Sequence, residues 1–97
     1  MQFLIIAHDY KDGGLKRRLD VREKHVALGD QMKAAGSYLY GIATLDTDGH
    51  MNGSVMVMDF PSRTELDEWL LVEPYVVNKV WEKIEIKPCK VGPTFLK

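Results

Sequence analysis

The feature that most constrains the fold is one long helix signal set between short apolar strands. From Leu15 to Ala35 there is no proline and a single glycine, Gly29, and the apolar positions recur at helical spacing. Gly36 then stands where a left-handed C-cap ends such a helix. Ahead of it, Gln2 to His8 reads as a buried strand, and Asp9-Tyr10-Lys11-Asp12-Gly13-Gly14 has the chemistry of a loop. Behind it, Tyr38 to Leu45 and Ser54 to Phe60 read as two strands of a hairpin, joined by the polar, glycine-containing stretch from Asp46 to Gly53. Ser62-Arg63-Thr64-Glu65 is a capping box, in which Ser62 accepts from a free N–H and Glu65 reaches back. It predicts a second helix from Arg63 to Val72 that buries Leu66, Trp69 and Leu70. Pro74 ends that helix or restarts a short turn from Tyr75 to Lys79. Glu82 to Pro88 alternates Ile84 and Ile86 with Glu85 and Lys87, the pattern of a strand with one buried face. The tail Val91–Lys97, with Gly92 and Pro93, reads as an extended arm.

The resulting order is βαββαβ with no repeat and no linker, so residues 1–97 are expected to form one α+β, ferredoxin-like domain. Its antiparallel sheet carries helices on one face only, and the other face must be covered. The first strand is apolar on both sides, and Met56, Met58 and Phe60 make one apolar face of the third. Small domains bury a limited fraction of their surface, so a homodimer packed sheet on sheet, of the dimeric α+β barrel type, is the expected solution. It would enclose a cavity or cleft. The net charge of −1, without a basic stripe, argues against nucleic acid as a partner. Cys89 is the only cysteine, which excludes an internal disulfide and a multi-cysteine zinc site. No apolar run approaches the roughly 20 residues of a membrane span. MQFLIIA lacks a basic n-region and reads as a strand, so a cytoplasmic protein without membrane association is expected.

The first helix carries an anomaly. With Arg18 at zero and about 100° per residue, Arg22 falls near +40° and His25 near −20°. Leu15 and Val26 flank them on one side, Val21, Leu28 and Met32 on the other, while Lys16, Asp20, Glu23, Asp30 and Gln31 lie opposite. Two arginines and a histidine thus occupy the apolar face, where burial without partners would cost several kcal/mol. They must meet carboxylates, a ligand or a wet pocket, or cross a dimer seam as ion pairs. An imidazole that acts as a base needs an acid to fix its tautomer. Asp9 and His8 point to opposite sides of the first strand, and parity alone does not say which faces His25.

The elements Ala7-His8-Asp9, Arg18-x-x-x-Arg22-x-x-His25, Gly36, Gly53-Ser54, Glu73-Pro74-Tyr75-Val76 and Ile86-Lys87-Pro88 resemble, in order and rough spacing, the YCII-like family. The resemblance covers nearly the whole chain. It implies a ferredoxin-like fold, dimers, and pockets centred on a His/Asp pair, carried here by His25 and Asp9. It also implies a pocket serine at Ser54. Glu73 stands where the family has Asp, one methylene shorter, so either a site carboxylate or a solvated helix-ending one is expected there. Tyr75 is expected to line the pocket or to fill core beside Trp81.

One activity in the family is the dehydrochlorination of a chlorinated hydroxyhydroquinone, which needs no cofactor. The resemblance therefore implies a lyase acting on a small aromatic substrate, with His25 and Asp9 catalytic. Arg18 or Arg22 would stabilise a phenolate oxygen or departing chloride, and Ser54, Glu73 and Tyr75 would bind substrate. Imidazole, with an ordinary pKa of about 6.5, suits proton transfer near neutrality. No GxGxxG, P-loop or zinc spacing is present, and no metal is expected from His8, His25 and His50, which fall on a strand end, a helix and a loop. A non-catalytic ligand-binding dimer and a cofactor-free monooxygenase or isomerase on the same scaffold are the alternatives. Cys89 reads as a small edge or core residue, and Met32, Met56 and Met58 as core.

Overall fold

The computed structural model describes residues 1–96. The chain runs β1 (Gln2–Asp9), α1 (Gly14–Ala34), β2 (Tyr38–Leu45), β3 (Met51–Asp59), α2 (Arg63–Leu70), α3 (Pro74–Val77) and β4 (Trp81–Cys89), then a 3-10 turn, Pro93–Phe95. The four strands form one sheet in the order β2-β3-β1-β4, with every neighbouring pair antiparallel. This is the α+β, ferredoxin-like arrangement expected from the element order.

Strand alternation divides the sheet into two unlike faces. Phe3, Ile5 and Ala7 of β1 and Met56 and Met58 of β3 are buried beneath the helices, joined by Phe60, Leu66, Trp69, Tyr75, Val80 and Trp81. Val21, Leu28 and Met32 of α1 pack against that core. Asp9 has the parity of Phe3, Ile5 and Ala7 and is buried with them, while His8 lies on the opposite face. On that opposite face Leu4, Ile6, Val55 and Val57 are half-buried, and Tyr40 and Ile42 are 67% and 49% exposed.

The observed boundaries differ from the expected ones for local reasons. β3 begins at Met51, earlier than expected, because Asp46 closes a tight turn. Its Oδ1 accepts from the backbone N–H of Asp48 (2.9 Å) and of His50 (3.0 Å). Gly49 there takes φ 84°, a conformation glycine adopts without steric cost. α2 stops at Leu70, before the expected Val72, because Glu73 turns extended ahead of Pro74 and caps α3. Ser62 Oγ accepts from Glu65 N at 3.3 Å, but among the described residues the Glu65 carboxylate makes no return bond, so the capping box is half formed. The tail is not a fully extended arm, since Pro93–Phe95 coils into the 3-10 turn; Lys97 lies outside the described residues.

Candidate active site

The site begins where β1 meets α1. A register shift between His8 and Asp9 sets Asp9 opposite Trp81 and turns its carboxylate under the helix layer. Gly14 lets α1 start close against this strand end: a Cβ there would stand 3.3 Å from Cβ of Asp9. One turn on, Arg18 donates from Nε to Asp9 Oδ2 (2.7 Å) and from Nη2 to Asp9 Oδ1 (2.8 Å). This is a two-bond fork with both side chains 4% exposed or less. Nη2 also donates to Ser54 Oγ (2.9 Å), which accepts in turn from Trp81 Nε1 (3.3 Å). The guanidinium carbon sits 4.7 Å from the centre of the Tyr75 ring.

His25 lies seven residues beyond Arg18, about 10 Å further along the helix axis. At that level it meets α3 and not the end of β1. His25 Nδ1 is hydrogen-bonded to Glu73 Oε1, the same oxygen that accepts from Tyr75 N (3.2 Å) as the N-cap of α3. A carboxylate only accepts, so Nδ1 is the donor and Nε2 of the neutral ring is left as the free acceptor. The imidazole stacks on Tyr75 with centroids 3.8 Å apart and planes 8° from parallel, and Tyr75 meets Trp81 edge-on at 5.6 Å.

The His25–Asp9 pair implied by the family resemblance is therefore not formed. Asp9 is held by Arg18, and the acid beside His25 is Glu73, 2% exposed and far from a solvated helix end. The extra methylene of Glu lets one carboxylate cap α3 and reach α1 together. The helix face also differs from its projection. Its buried sector is centred on the Val21–Leu28–Met32 side, so Arg18 and His25 turn inward and Arg22 stands exposed at the rim. Arg22 forms no ion pair among the described residues, whereas Nε and Nη2 of Arg18 are taken up by Asp9 and Ser54.

These groups share a cavity of about 210 Å³ lined by Arg18, Arg22, His25, Tyr38, Ser54 and Tyr75, with Val26, Gly41, Ile42, Ala43 and Met51. Tyr38 was not singled out by the sequence, in which it reads only as the first residue of a strand. Burial pushes the Tyr75 phenol above the ordinary value of about 10, and the two arginines offset this in part. Burial, then the Glu73 and Tyr75 charges, push the Tyr38 phenol in the same direction. Both stay protonated at neutral pH.

The remaining titratable groups lie elsewhere. His8, on the open face, contacts Glu85 at 3.2 Å, and this hydrogen bond, with Lys83 beside it, holds the Glu85 carboxyl below its usual range. His50 is exposed in the β2–β3 turn, near the carboxylates of Asp46 and Asp48. Cys89 is half-buried at the end of β4.

Three comparisons set this geometry among known proteins. The family model described as YCII-related domain matches residues 1–90. Protein YciI of Escherichia coli is 29% identical over 96 residues, spanning 93% of this chain and 97% of YciI. Among solved structures, the 5-chloro-2-hydroxyhydroquinone dehydrochlorinase TftG of Burkholderia phenoliruptrix, in complex with 2,5-dihydroxybenzoquinone, superposes with a TM-score of 0.85. It is 25% identical, with 97% of this chain and 98% of that one covered. An antibiotic biosynthesis monooxygenase shares the fold at a TM-score of 0.55 and 15% identity, over 96% of this chain and all of its own.

Proposed function

The chain belongs to the YCII-related family, and from that premise we propose that it is a cofactor-independent lyase removing HCl from a chlorinated hydroxyhydroquinone to leave a hydroxyquinone. The observation that carries this reading is the imidazole of His25, held at Nδ1 by a buried carboxylate and lining a cavity beside the guanidinium of Arg22, which forms no ion pair among the described residues. The whole-chain likeness to TftG supports it and directs it toward chlorinated hydroxyhydroquinones.

Each step asks for a group the cavity offers. Nε2 of His25 removes a phenolic proton and returns it to the ring carbon bearing chlorine, which gives a keto tautomer. A second phenolic O–H then gives up its proton to the same nitrogen as the C–Cl pair departs with chloride, and a quinone carbonyl forms. One hydroxyl proton has moved to carbon, one has left with chloride, and no external oxidant or reductant is required. Glu73 fixes the tautomer and balances the imidazolium. Arg22 faces the negative charge that develops on oxygen or chloride, a role worth a few kcal/mol in a partly dry site. Arg18, tied to Asp9 and Ser54, shapes the wall.

We place the reaction in a homodimer closed through the open sheet face, where Leu4, Ile6, Val55 and Val57 are left half-covered by their own chain. The test is an anaerobic assay of chloride release from a chlorinated hydroxyhydroquinone, run on wild type and His25→Ala in parallel. Chloride from the first and not the second is the expected result. Ligand binding without chloride release would make the protein a binding module, and oxygen uptake in a parallel aerobic reaction, with no chloride released anaerobically, would make it a monooxygenase.

A further inference from the structure

We infer that Tyr38 is a ligand-binding residue of this site: its phenol, fixed between Gly29 and Gly41, donates to an oxygen of the aromatic ring held beside His25. The inference rests on the reading of the cavity as an aromatic-substrate site.

The ring of Tyr38 spans the gap between α1 and β2, and the backbone on both sides is shaped around it. A Cβ at Gly29 would approach Tyr38 Cε2 to 3.1 Å and Cδ2 to 3.4 Å. A Cβ at Gly41 would fall 1.9 Å from the hydroxyl oxygen and 2.7 Å from Cζ. Glycine within a helix weakens it relative to alanine, so Gly29 is an odd choice for the interior of α1 unless the bare backbone has a use. Seating this ring is that use. The two glycines hold the phenol from opposite sides and place its oxygen over the backbone of Gly41.

That position is part of the cavity wall. Tyr38, His25, Val26 and Gly41 line both the 210 Å³ cavity and a neighbouring one of about 370 Å³ that continues along α1 toward Lys33. The phenol and the imidazole therefore stand together where the two spaces meet. The hydroxyl takes no part in the bonds that engage Arg18, Ser54, His25 and Glu73. It remains available to a ligand. Its burial near Glu73 keeps it protonated, so it meets a ring oxygen as a donor.

Tyr38→Phe keeps the ring in its slot and removes only the oxygen. Binding of 2,5-dihydroxybenzoquinone is measured by titration, and kcat and KM are measured by chloride release. Tyr38→Phe is expected to weaken quinone binding about tenfold and to raise KM more than it lowers kcat, with thermal stability close to wild type. Gly41→Ala, whose methyl displaces the hydroxyl, is expected to weaken binding at least as much. Quinone binding by Tyr38→Phe within twofold of wild type overturns the inference, even where wild type turns over normally. Loss of quinone affinity in Tyr38→Phe, beside a wild type that binds but releases no chloride, upholds the inference and overturns the lyase reading. A wild type that does neither overturns both.

Discussion

Asp9 and Glu73 are both buried carboxylates, yet their partners give them different work. Asp9 is locked to Arg18 in a two-bond fork beneath the helix layer, and removing one member of such a pair strands the other charge. Asp9→Asn is therefore expected to lose about 3 kcal/mol of stability in urea unfolding. Its turnover per folded molecule should stay near wild type. Glu73→Gln keeps an acceptor for the α3 cap but loses the charge beside the imidazole. It should keep most stability and drop kcat by about 10²-fold or more, the range expected when an acid–base group is mispositioned. Chloride-release kinetics on folded samples of both variants check the contrast. Much of this was legible at the level of single residues. The helical projection placed Arg18, Arg22 and His25 inside the apolar face, because 3.6-residue periodicity is a local property; Arg18 and His25 do turn inward, and Arg22 stands exposed. Their partners were not legible, because they depend on which strand end or short helix arrives at which turn of α1. The motif Glu73-Pro74-Tyr75 carried the missing signal, a carboxylate just ahead of a proline, which is an N-cap pattern aimed at a helix start.

At the scale of elements, the order βαββαβ followed from period and punctuation, and the boundaries moved where a side chain intervened. Asp46 shortened the β2–β3 connection and Glu73 split the second helical stretch into α2 and α3. Neither effect shows in an apolar pattern, since each is one polar atom meeting one backbone group. The Ser62 cap is of the same kind, and it was visible because the Ser-x-x-Glu spacing is its signature. Ser62→Ala should cost about 1 kcal/mol, read from the shift in urea midpoint at unchanged slope.

For the whole molecule, the open face of the sheet is the chief question. A positive charge at its centre, as in Val55→Arg, should convert the proposed dimer to a monomer, while wild type should run in light scattering at about twice the chain mass of 11.1 kDa. Monomeric wild type at micromolar concentration would remove the dimer from the account. Alkaline behaviour belongs at this scale too. Tyr38 and Tyr75 have phenols raised above the ordinary value, chiefly by burial, so the native state resists ionising them. Above a pH of about 10 the unfolded chain releases those protons first, and stability is expected to fall as pH rises. Below that value the contribution is fully present. Melting temperatures from pH 8 to 11 check the sign, and Tyr38→Phe/Tyr75→Phe should flatten the slope.

One oxygen of Glu73 both starts a four-residue helix and steadies the ring of His25. So short a helix is held mainly by what it leans on, and its opening releases the imidazole at the same moment. Warming should therefore silence the protein while the sheet is still whole. Amide exchange at Tyr75 would then count the inactive molecules, and activity would fade several degrees before circular dichroism registers any loss of structure.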